Sequence, residues 1–344
     1  MNRLCSLFTA FLLFLVAATA SAAVPPLTPV AADSVVVWGD NINDLRGYAL
    51  EVDQGLAASP IVADKAQRSS CRKVWKKQIL PALQPFGLQG EDGKSTEETN
   101  CLAAENAFRL HLLTGHAEHM DFVERTLWNA LLSSVRRPGP SSFNKHLAAQ
   151  TLVDAMQMVY TTRGEDLFVN LFTNSTTHVL TPELNVVVDQ LTALPLGGRL
   201  KLRLSNMPAD QRHVRLHVRI PQWATGASPS PKHLPLAAAS TPPAPMFYVN
   251  GKEFLTGKVE NGYYVVDRTW NNGDEILVDF PLQPFLYRPT ADAKRTYVQC
   301  GPLVFAAPAD LSPSTSLTFS AEDDTPCLLT PDGTTLLPYY LAGE

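Results

Sequence analysis

The chain has 344 residues, 45% of them hydrophobic, with 33 acidic against 28 basic side chains and a formal charge of −5. The basic residues are scattered along the chain, which argues against nucleic acid or an anionic membrane surface as a partner and leaves neutral ligands such as sugars open. The length allows two ordinary domains and a sizeable buried core.

The first residues, MNRLCSLFTAFLLFLVAATASAA, set one basic residue, Arg3, ahead of an apolar run and the small triplet Ala20-Ser21-Ala22. This predicts a secretory signal over residues 1–22, cut near Ala22, and a secreted or periplasmic mature chain. No later stretch approaches the ~20 apolar residues a membrane span needs. Cys5 leaves with the signal, so Cys71, Cys101, Cys300 and Cys327 remain. An even number in an oxidising compartment predicts disulfides. Three connectivities are open, and sequence proximity favours Cys71 with Cys101 and Cys300 with Cys327.

From Val24 to about Gln67 there is no clear period beyond one strand-like run, Val35 to Trp38. The run Asp40 to Asp44 is not a calcium loop, because Ile42 stands where an oxygen ligand is needed and the glycine is missing. Helical signals begin near Ser70 and dominate from Ser95 to Tyr160. Apolar residues recur at helical spacing over Leu102 to Leu113, and Gly115 stops that helix. Phe122, Val123, Leu127, Leu131 and Leu132 then mark a second amphipathic run, giving an antiparallel helix pair. After the Pro-Gly-Pro break at Pro138 to Pro140, a third helix runs to near Arg163-Gly164.

The period then becomes two. Leu167 to Phe172, Arg199 to Leu204 and His213 to Ile220 read as strands, the last with its charges on one face, predicting one buried face and one wet face. Tyr263 to Asp267 and Glu275 to Phe280 flank Asn271-Asn272-Gly273-Asp274, whose Asn-Gly pair predicts a hairpin turn. These strands predict an antiparallel β-sandwich. The Pro-, Ala- and Ser-rich tract Gly226 to Pro245 is a mobile insertion on it. The expected organisation is a signal at 1–22, a helical region at 23–164, a sandwich at 165–308 and an irregular tail at 309–344.

The stretch Thr96 to Cys101, TEETNC, has two readings. Glu98 and Cys101 can share a helical face and hold a metal. Alternatively, Ser95 and Glu98 form a capping box beside a bridged cysteine, with Glu97 and Glu98 complementing the positive helix end.

The segment STEETNCLAAENAFRLHLLTGHAEHMDFVERTLWNALLSSV resembles the helix pair of the β-L-arabinofuranosidases of glycoside hydrolase family 127. The motifs are Glu98-Thr99 with Cys101, then Leu113-Thr114-Gly115, then Asp121 with Glu124, Arg125, Leu127 and Asn129. The resemblance continues through Leu167 to Leu171, Arg219 to Ala224, Val249-Asn250-Gly251, Gly262-Tyr263, Arg268-Thr269-Trp270, Gly273-Asp274 and Gly301 to Phe305, over about Ser95 to Ala307. It implies an α+β multidomain fold: an (α/α) barrel, here only a helical remnant, followed by antiparallel β-sandwich. It also implies retaining, exo-acting hydrolysis with a zinc site built from the Glu-x-Cys element and a later Cys-Cys pair, one of the pair's thiolates being the nucleophile and a separate glutamate the acid/base. Zinc would lower the thiol pKa for attack, and the carboxylic acid would protonate the departing oxygen.

Three departures follow from the sequence. No cysteine lies between Cys101 and Cys300, so the pair expected near Ser141 to His146 is absent. Asn100 is an extra residue that alters the angle between Glu98 and Cys101. The segment before Ser95 is too short for a complete barrel. Glu91 and Glu98 remain candidate catalytic acids, and Glu98 and Cys101 a degenerate zinc element; no cofactor is expected. His111, His116 and His119 read as surface or turn residues, Asp323-Asp324 as a wet turn, and Cys300 has no catalytic role. Trp223, Tyr248, Tyr263, Tyr264 and Trp270 invite a sugar-stacking reading but read as core. Asn174-Ser175-Thr176 is a glycosylation sequon. The chain is therefore expected to be a secreted, catalytically inactive glycoside hydrolase-like protein with plant or microbial glycans as partners. The alternative is a non-catalytic carbohydrate-binding or cell-surface interaction module.

Overall fold

Two hydrophobic periods, 3.6 and 2, divide the chain into a helical and a strand-built half in a computed structural model that describes residues 24–38, 44–88, 97–136, 143–227, 234–235, 242–288, 296–308, 311–312, 315–322 and 325–342. The predicted signal, most of the rejected calcium run, Glu91, the Ser95 cap, Asp323-Asp324 and most of the Pro-rich insertion lie outside the described residues.

The helix Glu97–Thr114 buries Cys101, Ala104, Ala107, Phe108 and Leu112, and ends where Gly115 takes a left-handed φ of 72°. The next helix, Ala117–Arg125, continues through a wide π-turn at Thr126–Leu131 into Leu132–Arg136. Every residue from Phe122 to Ser133 is buried, so this helix is enclosed on all sides rather than amphipathic. That enclosure forces Glu124, Arg125 and Asn129 into the interior with partners. The third helix, Phe143–Asp154, ends in a short 3₁₀ turn, and Tyr160–Arg163 is already strand, so the helix stops well before Arg163.

A six-stranded sheet carries, in order, Thr28–Pro29, Tyr160–Arg163, Asp166–Val169, Gln211–Arg219, Tyr263–Asn271 and Lys258–Glu260. A seven-stranded sheet runs Lys252–Glu253, Met246–Val249, Glu275–Asp279, Arg199–Ser205, Asn185–Thr192, Ser175–Leu180 and Val35–Val37. Val214, Leu216 and Val218 of the first sheet share one core with Val188, Leu200, Leu202 and Leu204 of the second, and Phe247 stacks on Tyr264 at 3.8 Å. One pairing departs from the antiparallel expectation: Asp166–Val169 runs parallel to Gln211–Arg219. The segment before Gln67, with little period of its own, gives an edge strand to each sheet.

The Asn271 to Asp274 turn is not a hairpin. The strands it joins lie in different sheets, and only Gly273 has a positive φ, while the Asn272 side chain accepts from Met207 N at 2.8 Å. Tight hairpins in which both turn residues have positive φ lie instead at Asn250-Gly251 and Asn261-Gly262. Within the insertion, Leu234 and Pro235 pair with Arg288 and Tyr287, so the tract is tied down there. The tail is not irregular either. Thr318–Glu322, Thr325–Leu329 and Thr335–Leu336 form a three-stranded sheet, and Tyr339 stacks on Phe86 at 4.5 Å.

Candidate functional site

At the TEETNC head, the helix sorts its side chains by depth. Glu98 and Thr99 are exposed, whereas Asn100 and Cys101 are buried. The extra residue Asn100 pins the neighbouring Gly87–Leu88 segment: its Oδ1 accepts from Leu88 N at 2.8 Å and its Nδ2 donates to Leu88 O at 3.4 Å. A Cβ at Gly87 would lie 2.5 Å from that Oδ1, so the close approach needs glycine. Burial pushes the Cys101 thiol up to about 11; a hydrogen bond with Thr151 lowers it, and the nearby charges of Glu97 and Asp154 raise it further. The Glu98 carboxylate faces solvent while the Cys101 thiol is sunk among apolar side chains. Among the described residues no three His, Cys, Asp or Glu side chains come together as a donor set, so the Glu98 and Cys101 element does not fit the zinc of the family it resembles.

All four described cysteines are free thiols, which corrects the predicted disulfides. Cys71 packs beside the Asn106 to Arg109 level of the neighbouring helix, where Asn106 Nδ2 donates to Cys71 O. Cys101 lies at least five residues earlier on that helix, about 7 Å or more along its axis, and bonds instead with Thr151. Cys300 closes a strand of the sheet containing Phe285–Arg288, with burial pushing its thiol up to about 12, whereas Cys327 belongs to the separate three-stranded sheet.

The residues that carry the family resemblance meet elsewhere, at the seam between helix and sheet. Arg219 is wholly buried at the end of its strand. Its Nη1 donates to Asp121 Oδ1 at 2.6 Å, its Nη2 to Glu124 and its Nε to the carbonyl of Asn170. Trp223 Nε1 donates to the other oxygen of Glu124 at 2.9 Å, and Gln222 N to Asp121 Oδ1 at 3.1 Å. Tyr263 OH donates to Asn170 Oδ1 at 2.8 Å. Asn129 extends the seam: its Nδ2 donates to Pro302 O at 3.0 Å and its Oδ1 accepts from Val304 N at 2.8 Å. Gly262 packs so closely on the helix start that a Cβ would lie 2.6 Å from that of Ala117. Burial disfavours the Arg219 charge, but Glu124 and Asp121 outweigh it and hold its pKa up; burial pushes the Asp121 carboxyl up against the pull of Arg219. Both acids are committed to one guanidinium, which makes this a latch rather than an acid/base pair.

The strand Gln211–Arg219 shows how the latch is reached. His213, Arg215, His217 and Arg219 share one face, yet exposure of the side chain falls from 42% at His213 to 5% at His217 and 0% at Arg219. The face predicted to be wet is wet only at its start, because the helix covers its end.

His111 and His119 are buried rather than surface residues. The His111 ring nitrogens lie 3.2 Å from His116 O and 3.4 Å from Thr161 Oγ1, and His119 meets Trp75 edge-on at 4.7 Å. Burial lowers both rings to about 3. The Glu118 carboxylate lies 3.9 Å from His119 but is largely solvated and does not offset that burial. Tyr263 and Trp270 are core, while Trp223, Tyr248 and Tyr264 are half-buried. Asn174 of the sequon is buried, its Oδ1 accepting from Thr192 N at 2.7 Å, a placement without room for a glycan. The larger open cavity, about 680 Å³, lies beside the TEETNC helix and is lined by Lys77, Gln78, Gln84, Thr99 and Leu102 among others; a second, about 550 Å³, includes Asp33, Arg46 and Gln157. The first was not predicted, since its walls come from two separately folded segments, residues 74–88 and 99–103, whose packing on each other periodicity does not carry.

Buried helices latched through one arginine onto paired, largely antiparallel sheets define an α+β protein. Residues 166–282 match the sequence profile described as "Beta-L-arabinofuranosidase, GH127 middle domain", and the chain is a GH127-like protein. Three solved structures share the fold. A GH127 β-arabinofuranosidase, BT3674, is similar at 21% identity and a TM-score of 0.62, over 74% of this chain and 48% of its own. A GH127 β-L-arabinofuranosidase from Geobacillus stearothermophilus T6 gives 16% identity and 0.61, over 87% and 57%. A glycoside hydrolase gives 19% and 0.58, over 76% and 52%. The chain thus spans about half the length of these structures. No curated protein matches its sequence.

Proposed function

We propose that the chain is an exported glycoside hydrolase-like protein that engages glycans without cleaving them by the thiolate route of the family it resembles. The observation that carries this reading is the position of Cys101, sunk in the core with its thiol pushed up to about 11, while Glu98 on the same helix is exposed. A nucleophilic thiolate needs a lowered pKa and access to the anomeric carbon, and this sulfur has neither. In this reading residues 23–164 are the remnant of an (α/α) barrel, residues 165–308 a β-sandwich, and the cavity at Lys77, Gln84 and Thr99 what remains of the cleft. The match at 166–282 and the shared fold support that reading.

The test is an assay of arabinose release from arabinofuranosides together with zinc content on the purified chain. No release and no stoichiometric zinc is expected. One zinc per chain with release abolished in Cys101→Ser would overturn the proposal. Export is checked by sequencing the N-terminus of the protein recovered outside the cytoplasm, with a start just after Ala22 expected.

A further inference from the structure

The outer face of the seven-stranded sheet carries one aromatic side chain that packing does not explain. Trp38, directly after the edge strand Val35–Val37, is 38% exposed, and no ring or guanidinium among the described residues stacks on it. It is nonetheless held at two points. Its backbone N–H donates to Asn174 O at 3.1 Å, extending the ladder, and its indole Nε1 donates to Thr176 Oγ1 at 3.1 Å. Thr176 in turn donates to Asp189 Oδ1 at 2.7 Å on the next strand. A chain of hydrogen bonds thus fixes the orientation of an exposed indole, whose conformational freedom is already surrendered before any ligand arrives.

Beside the indole the face is polar and electrically balanced. Asp189 and Glu275 sit opposite Arg203 on its two sides, Lys201 pairs with Glu275 at 2.7 Å, and Arg199 with Asp279 at 3.0 Å. Three acids answer three bases, so the face offers many hydrogen-bonding groups without a net field to select a polyanion or polycation. Exposed Val36 and Leu191 add small apolar steps at the Trp38 end. The cross-strand register carries the face from Trp38 past Asn174 and Leu191 to Lys201, three strand spacings or about 14 Å.

We infer that this face is a binding platform for a neutral oligosaccharide, with one sugar ring stacked on the Trp38 indole and neighbouring hydroxyls bonded by Asp189, Lys201 and Arg203. The inference rests on the reading of the chain as a glycan-engaging protein. It concerns a surface remote in sequence from the Lys77 and Thr99 cavity. An aromatic with a fixed ring and an apolar flat face suits the C–H face of a sugar, and the balanced polar groups suit its hydroxyls.

The test is affinity electrophoresis of the full chain in gels containing soluble neutral arabinoxylan or, separately, polygalacturonate. Retardation by arabinoxylan alone is expected, weakened about tenfold or more in Trp38→Ala and partly retained in Trp38→Tyr. Thr176→Val, which frees the indole without removing it, should give an intermediate loss, so the outcome does not hang on the folding of one variant. Equal retardation of wild type and Trp38→Ala, retardation by polygalacturonate only, or none by arabinoxylan would each overturn the platform. So would a concentration-dependent dimer that Trp38→Ala dissolves, since a second copy would then be the occupant. Arabinose release is measured on the same samples. Release with Trp38-dependent retardation would sink the non-cleaving reading and leave the platform standing. Binding lost in Leu102→Asp but not in Trp38→Ala would do the reverse.

Discussion

Arg219 Nη1 lies 2.6 Å from Asp121 Oδ1, joining the last residue of a central strand to a helix 98 residues earlier, with the guanidinium wholly buried. Replacing one member of such a network leaves the others charged and unpaired, which costs more than the pair itself contributes. Arg219→Leu is therefore expected to destabilise the fold by about 3–5 kcal/mol, read from urea unfolding. The triple change of Arg219, Asp121 and Glu124 to apolar residues should recover much of that loss, because no orphaned charge remains.

Asn129 satisfies two backbone groups of another segment, the carbonyl of Pro302 and the N–H of Val304. Asn129→Leu matches its volume roughly but leaves both unpaired, at about 1–3 kcal/mol each. Amide hydrogen exchange at Val304 should accelerate more than at the residues around it. Unchanged protection there would show that the contact is incidental.

Burial lowers His111 and His119 to about 3 from 6.5. Between these values the unfolded chain binds protons at both rings and the folded chain does not. Stability is thus full above about pH 6.5 and falls as pH drops through the window, by about 1.4 kcal/mol per pH unit for each ring. His119→Phe, which preserves the edge contact with Trp75, should flatten the acid limb of the stability curve by about one ring's share.

Cys101 and Cys300 are both buried with raised pKa values, while Cys327 is half-buried. In native protein at pH 8 an aromatic disulfide reagent should modify Cys327 first and leave Cys101 and Cys300 unreacted for far longer. All four thiols should titrate after denaturation without reductant. Only two or none would restore the bridged reading.

Much of the framework was legible from periodicity. The helix over 102–113, the stop at Gly115 and the alternation at 199–204 and 213–220 each reflect which side chains share a face. What periodicity does not carry is the identity of the covering layer. His217 and Arg219 continue the alternation of His213 and Arg215, yet Phe168 stacks on His217 and the helix carrying Asp121 and Glu124 covers Arg219, so a face read as wet ends in a wholly buried guanidinium. Asn100 and Cys101 looked like a disturbed ligand set because their partners, Leu88 and Thr151, sit on other elements. The hairpin expected at Asn271 to Asp274 failed for the same reason, since the chain passes there between sheets. Trp38 drew no notice within a strand-like run, because exposure is decided by neighbouring strands.

The earliest described strands, Thr28–Pro29 and Val35–Val37, pair with Tyr160–Arg163 and Ser175–Leu180. During synthesis they therefore wait for well over a hundred residues before either partner exists. Sheet closure becomes a late, long-range event that slows folding. Until then both segments are open edges, and a chaperone that shields them should raise the yield of native protein more than one acting on the helices.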